Sequence, residues 1–183
     1  MNHSLPLEDT SQSATGRILI ACIGNIFLGD DGFGVEVAQR LMGRNYPPQV
    51  RVVDFGIRGI DLAYALMDDY DTLILVDAVP RGGSPGTVYL IEPDLSGLSS
   101  EKGEEAGRVA LDNHSMDPVK VLAYARTLGA RAIRTLLVGC EPTPMGEGES
   151  YEEMQMGLSE PVQAAVDEAV KLIDSLVEEL IPA

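Results

Sequence analysis

The chain has 183 residues, enough for one domain that encloses its own core without disulfide or metal staples. Twenty-nine acidic residues against thirteen basic ones leave a net charge of -16, which repels a phosphate backbone and argues against a nucleic-acid partner. The same acidity fits solubility, a basic protein partner or a cation, and composition does not choose among them.

Residues 1–16 (MNHSLPLEDTSQSATG) are polar, include His3 and lack the apolar core of a signal peptide. They read as a flexible tail ahead of a single domain spanning 17–183. No apolar run approaches the length of a membrane span, so the expectation is a cytoplasmic protein without a membrane partner.

RILIACIG, from Arg17, is a short β-branched run closed by glycine, the pattern of a buried strand. A polar turn follows, then a helix over 34–42 with Val35, Ala38, Leu41 and Met42 at three- and four-residue steps. RVVDFG (51–56) reads as a second strand, IDLAYALM (60–67) as a short helix and TLILVDAV (72–79) as a third strand. TVYLIEP (87–93) is a further strand entered through GGSPG, and 94–107 is a polar loop. A helix is expected over 116–128 with Ser115 as its N-cap, then a strand over 132–140. The Pro- and Gly-containing stretch 141–157 reads as a long loop at the functional end. Behind Ser159 and Pro161, an apolar stripe from Val162 to Leu180 marks the last helix. Cys22 and Cys140 fall within or at the end of strand-like runs and read as small buried hydrophobes.

Strands alternating with helices predict a three-layer α/β fold, a mostly parallel twisted sheet with helices on both faces. Ligands of such sheets gather beyond the carboxyl ends of the strands, so function is sought there. The loop after the first strand, Gly24-Asn25-Ile26-Phe27-Leu28-Gly29-Asp30-Asp31-Gly32, sets two adjacent carboxylates ahead of a helix. They are either helix-capping acids or metal-binding and catalytic ones. A dinucleotide site does not fit: G-x-G-x-x-G is absent, and two carboxylates would face the pyrophosphate. Asp77 closes the third strand as a turn former or a site residue, whereas Asp54, the parallel case on the second strand, reads as structural. His114 precedes the later helix, whose N-terminus disfavours imidazolium and would leave a neutral, metal-competent ring; the alternative is an ordinary surface histidine. Two carboxylates and an imidazole would suit a divalent transition metal, without identifying which one.

Ile23-Gly24-Asn25-Ile26-Phe27-Leu28-Gly29-Asp30-Asp31-Gly32-Phe33-Gly34 resembles the opening motif of the hydrogenase maturation endopeptidases. The resemblance continues through Val53–Gly56, Leu75–Ala78, Asn113-His114-Ser115, Leu136–Gly139 and Met156–Ser159, and so spans residues 17 to about 180. It implies a metal-binding triad of Asp31, Asp77 and His114, with Asp30 as a substitute for Asp31, because some members carry the longer glutamate there. It also implies an aspartic-type endopeptidase that removes the C-terminal extension of a nickel–iron hydrogenase large-subunit precursor after nickel insertion. The nickel would arrive with that substrate, with no stored cofactor and no nucleotide, and Asp31 is the leading candidate for the general base. Two other readings stand beside it: a nickel-binding maturation chaperone without proteolysis, and a receiver-like signalling domain. Against the second, Val138-Gly139-Cys140-Glu141 lacks the lysine that such a domain needs at the end of its last strand.

Overall fold

The computed structural model describes residues 16–95, 117–144 and 156–181. Five strands form one sheet: β1 (Ile18–Ile23), β2 (Val50–Gly56), β3 (Thr72–Ala78), β4 (Val88–Ile91) and β5 (Arg134–Cys140). Their order across the sheet is β2-β1-β3-β5-β4. The first four of these neighbours run parallel, and β4 pairs antiparallel with β5 at the edge. The expected mostly parallel sheet is therefore present, with one antiparallel edge strand.

Every residue of β1 is buried. The continuous apolar run is explained by the two faces of the sheet, since alternate side chains enter different cores. Ile18, Ile20 and Cys22, with Ile74 and Val76 of β3, meet helices α1 (Phe33–Leu41) and α4 (Glu160–Leu180) on one side. Leu19, Ala21 and Ile23, with Leu73 and Leu75, meet α2 (Gly59–Ala65) and α3 (Pro118–Thr127) on the other. Each fully buried Leu, Ile or Phe contributes about 1.5–3 kcal/mol of transfer free energy, so central β1 and β3 anchor both layers. Both cysteines are buried free thiols, and burial, with the charge of Asp30 next, pushes Cys140 up to about 12. No described helix is long and apolar enough to cross a membrane.

One packing detail shapes the functional end. A Cβ on Gly34 would run into the carbonyl oxygens of Ile23 and Val76, so only glycine lets α1 start directly against the carboxyl ends of β1 and β3. In a helix glycine costs about 1 kcal/mol relative to alanine, and close packing at this point outweighs that cost.

One helix start differs from expectation. The helix after 117 begins at Pro118 rather than 116, and its N-cap is Asp117, whose side chain accepts from the Val119 N–H, not Ser115. Proline at the first helical position has the φ that a helix needs and no N–H to leave unpaired, which fixes the start one residue after the aspartate. Ser115, His114, most of the expected 1–16 tail and nearly all of the 94–107 loop lie outside the described residues.

Candidate functional site

The chain runs from β1 outward to β2 on one side and then returns to β3 on the other. The sheet therefore reverses its winding between β1 and β3, and in sheets of this kind the ligand crevice lies beyond the carboxyl ends of the strands at that point. The pairing of β1 with β2 also shifts register between Cys22 and Ile23, at that same end. Two of the expected ligands are carried there, one by the loop that leaves β1 and one by the end of β3.

Asp31 stands in a 3-10 turn, Gly29–Gly32, immediately before α1. It does not cap the helix: α1 has Gly32 at its N-cap and no side-chain capping bond. Its carboxylate Oδ2 instead accepts from the Asn25 N–H at 2.9 Å, and its carbonyl accepts from the same N–H at 3.1 Å. Gly24, at φ +148°, lies so close to the Asp31 carbonyl that a side chain would not fit. The loop is thus folded back on itself with Asp31 held at its closure, and the residue is exposed. Crowding of its carboxyl by the loop raises its pKa, opposed by the Asn25 hydrogen bond.

Asp77 is the penultimate residue of β3, paired in register with Gly139 of β5, which has no side chain to cover it. Its Oδ1 accepts from the Ala78 N–H at 2.8 Å. By strand alternation it follows Leu73 and Leu75 onto the face of α2 and α3. Burial first, and then the charge of Asp31, hold the Asp77 carboxyl well above the usual carboxylate range. The Ala78 N–H pulls the other way and Asp117 adds to the rise. Asp31 and Asp77 therefore share one electrostatic environment, with the N-terminus of α3 beside it.

His114 lies outside the described residues. Among the described residues no group of three His, Cys, Asp or Glu side chains is arranged to hold a metal ion. The two described donors fit a divalent cation in kind: both are carboxylates, each has one oxygen engaged by a backbone N–H, and the charge of Asp31 disfavours ionisation of Asp77.

Asp30 has a different place from the one expected of a substitute ligand. It is buried, and its carboxylate accepts from the Thr143 N–H at 2.8 Å, the Ser159 N–H at 2.6 Å and the Ser159 hydroxyl at 2.8 Å. Ser159 is the N-cap of α4, so Asp30 ties the opening loop to the start of the last helix and satisfies an N–H there. Asp30→Ala should lower stability by about 3 kcal/mol, because two backbone donors lose a charged acceptor in a buried place. Urea unfolding followed by circular dichroism checks this, and a loss below about 1 kcal/mol would contradict the structural role. Asp54, expected to be structural, accepts the Gly56 N–H at 2.8 Å through its Oδ1.

Sequence reasoning missed Glu141, assigned to a long loop. It is a buried residue whose carboxylate accepts from the N–H groups of Arg81 (3.0 and 2.9 Å) and Gly82 (3.0 Å) and from the Tyr89 hydroxyl (2.8 Å). Burial works to raise its pKa, but these bonds together hold it below the usual value. The signal available in sequence was an acid closing an apolar strand, the same one that marked Asp77.

Known proteins resemble this chain in sequence and fold. A family model described as hydrogenase maturation protease matches residues 35–176, beginning just after the opening motif. The hydrogenase expression/formation protein HoxM of Azotobacter vinelandii is 34% identical over 157 residues, covering 85% of this chain and 70% of its own. Among solved structures, the hydrogenase maturating endopeptidase HybD from E. coli superposes with a TM-score of 0.65 at 26% identity, over 89% of this chain and 93% of its own. The hydrogenase 2 maturation peptidase from Thaumarchaeota archaeon SCGC_AB-539-E09 does so at 0.60 and 31% identity, over 87% and 97%. A family model and curated relatives that match over most of the chain decide against a receiver domain: the chain belongs to the hydrogenase maturation protease family.

Proposed function

We propose that the chain removes the C-terminal extension from the large-subunit precursor of a nickel–iron hydrogenase once nickel has been inserted, and that Asp31, Asp77 and His114 bind the nickel carried by that substrate. The observation that carries this reading is the convergence of Asp31 and Asp77 at the β1/β3 crevice, in one electrostatic environment. Two features add to it. The N-cap of α3, Asp117, acts on the charge of Asp77, and His114 is three positions before Asp117, a reach of about 10 Å at most. Repulsion between the two carboxylates is relieved by a cation, so the pair is matched to a substrate that brings one.

Nickel bound in this way supplies charge that polarises a carbonyl or a water, or serves to register the precursor so that the scissile bond is positioned. The side chains of the chain divide the remaining work. Asp31, exposed and held through Oδ2 by Asn25, keeps Oδ1 for the substrate and is the candidate to take a proton from the attacking water. Asp77, more enclosed, gives up its proton as the cation arrives and acts as a ligand. This division is what an aspartic-type label would mean here. It involves no paired catalytic aspartates like those of pepsin.

Incubation with nickel-loaded precursor, followed by intact-mass spectrometry, tests the proposal. The expected result is loss of the C-terminal tail from the loaded precursor and none from the nickel-free one. A precursor that keeps its mass while remaining bound to the protein would point to a chaperone and overturn the proteolytic reading.

A further inference from the structure

Arg81 lies four residues after Asp77, at the same carboxyl end of the sheet, on a connection that the structure holds firmly. Its backbone N–H donates to both Glu141 carboxylate oxygens, and the Gly82 N–H donates to one of them. The Gly86 N–H donates to the Glu141 carbonyl, while the Glu141 N–H donates to Thr87. The connection is thereby stitched on both sides to the segment that follows β5. That segment reaches the other half of the site as well: Thr143, two residues past Glu141, donates to Asp30, the neighbour of Asp31. Two residues of chain cover about 7 Å, so the platform under Arg81 and the Asp30-Asp31 turn are fixed to adjacent points of one strut.

The Arg81 side chain is used differently from the other arginines. Every other described arginine engages a carboxylate or a carbonyl oxygen. Among the described residues the Arg81 guanidinium has no ion pair and no hydrogen bond. It stands 5.7 Å from the centroid of the Tyr89 ring, and Tyr89 is itself held by its hydroxyl to Glu141. Stacking on an aromatic face restrains a guanidinium while leaving its N–H fork free. An exposed, oriented fork of five donors matches a carboxylate by two parallel hydrogen bonds. In a chain of net charge -16 it is also a point at which an acidic group can approach the crevice without meeting only repulsion.

We propose that Arg81 is a specificity-determining residue that docks a carboxylate of the substrate polypeptide beside the Asp31–Asp77 crevice. This rests on the peptidase reading above. The carboxylate is an Asp or Glu side chain near the cleavage point or the terminal carboxylate of the extension; the shared chemistry is one anionic, planar acceptor. Glu141 is the positioning residue that holds the platform in place.

Steady-state cleavage of the nickel-loaded precursor by the wild type, Arg81→Ala and Arg81→Lys tests this. Loss of the fork should raise KM about tenfold with kcat changed less than about twofold, and lysine should restore only part of the difference. On the substrate side, each acid of the extension is replaced in turn by its amide, and the terminal carboxylate is displaced by two appended glycines. One of these changes should raise KM equally for the wild type and add nothing for Arg81→Ala, the non-additivity of a direct pair. An unchanged KM in Arg81→Ala, or a rise that adds in full to every substrate change, overturns the proposal while leaving proteolysis by the wild type standing. A wild type that does not cleave removes both readings. The unfolding midpoint should not move, because the side chain is exposed.

Discussion

Asp77→Asn should abolish processing and, at neutral pH, make the protein more stable. The two effects share one cause. Burial and the Asp31 charge hold the folded-state carboxyl well above its ordinary value, so between that value and the raised one the native protein keeps a proton that the unfolded chain has lost. A carboxyl raised in this way contributes its full stability below the ordinary carboxylate range, near pH 4, and loses it as pH rises through the raised value. Asparagine mimics the protonated acid at every pH. The variant's advantage in a urea midpoint should therefore vanish at about pH 4 and grow toward pH 7. Activity moves the opposite way, since the amide cannot offer the negative oxygen that a divalent cation requires. The expected loss in cleavage of nickel-loaded precursor is at least about a hundredfold. A variant that is destabilised at pH 7 would deny the charge conflict, and one that cleaves normally would deny Asp77 its role as a ligand. The conflict is an instance of a site held at the expense of stability, which stabilising substitutions often undo together with function.

The second large effect is expected from His114→Ala. If its imidazole completes the ligand set, removing it should lower nickel-dependent cleavage by about a hundredfold or more. The unfolding free energy should stay within about 0.5 kcal/mol of wild type, as expected if the residue serves ligation rather than packing. Binding of the nickel-loaded precursor, followed by a pull-down at fixed concentration, should weaken in parallel. Full activity in this variant would remove imidazole from the metal-sensing proposal and leave the two carboxylates as its only part. A large fall in stability would instead make His114 a structural residue. Paired with Asp77→Asn, the variant also tests whether the residues act as a unit, since losses at a shared metal do not add.

Much of the fold was legible because it is written in local periodicity. β1 and β3 are unbroken apolar runs that a sheet covered on both faces requires, and α4 displays its stripe at helical spacing. The start of α3 was misplaced because Ser115 and Asp117 are both good caps. The decisive signal, Asp117 followed by Pro118, was present in the sequence but read past. The antiparallel course of β4 was not legible, because four strand residues carry no mark of direction and their partner β5 begins more than forty residues later. At the site, Asp77 was legible as a candidate from its position at the end of an apolar strand, and the Asp30-Asp31 pair from its place in the glycine loop ahead of α1. Which of the adjacent acids Asp30 and Asp31 faces the crevice was stated only through the resemblance, and the structure supplies a reason for setting Asp30 aside: its carboxylate is already filled by Thr143 and Ser159.

The sequence by itself determined which segments become strands and helices, that the sheet would be mostly parallel, and hence that acids at strand ends would gather on one rim. Those properties depend on neighbours within a few turns of chain, where side-chain spacing is the whole of the information. Only the tertiary structure decided that Asp30 is a strut, that Glu141 grips the Arg81 connection, and that Gly34 admits α1 to the ends of β1 and β3. In the first two cases buried donors had to find acceptors, and they found them across 129 and 60 residues of chain. Burial dictates that such a partner must exist, and only the packed fold chooses which residue it is.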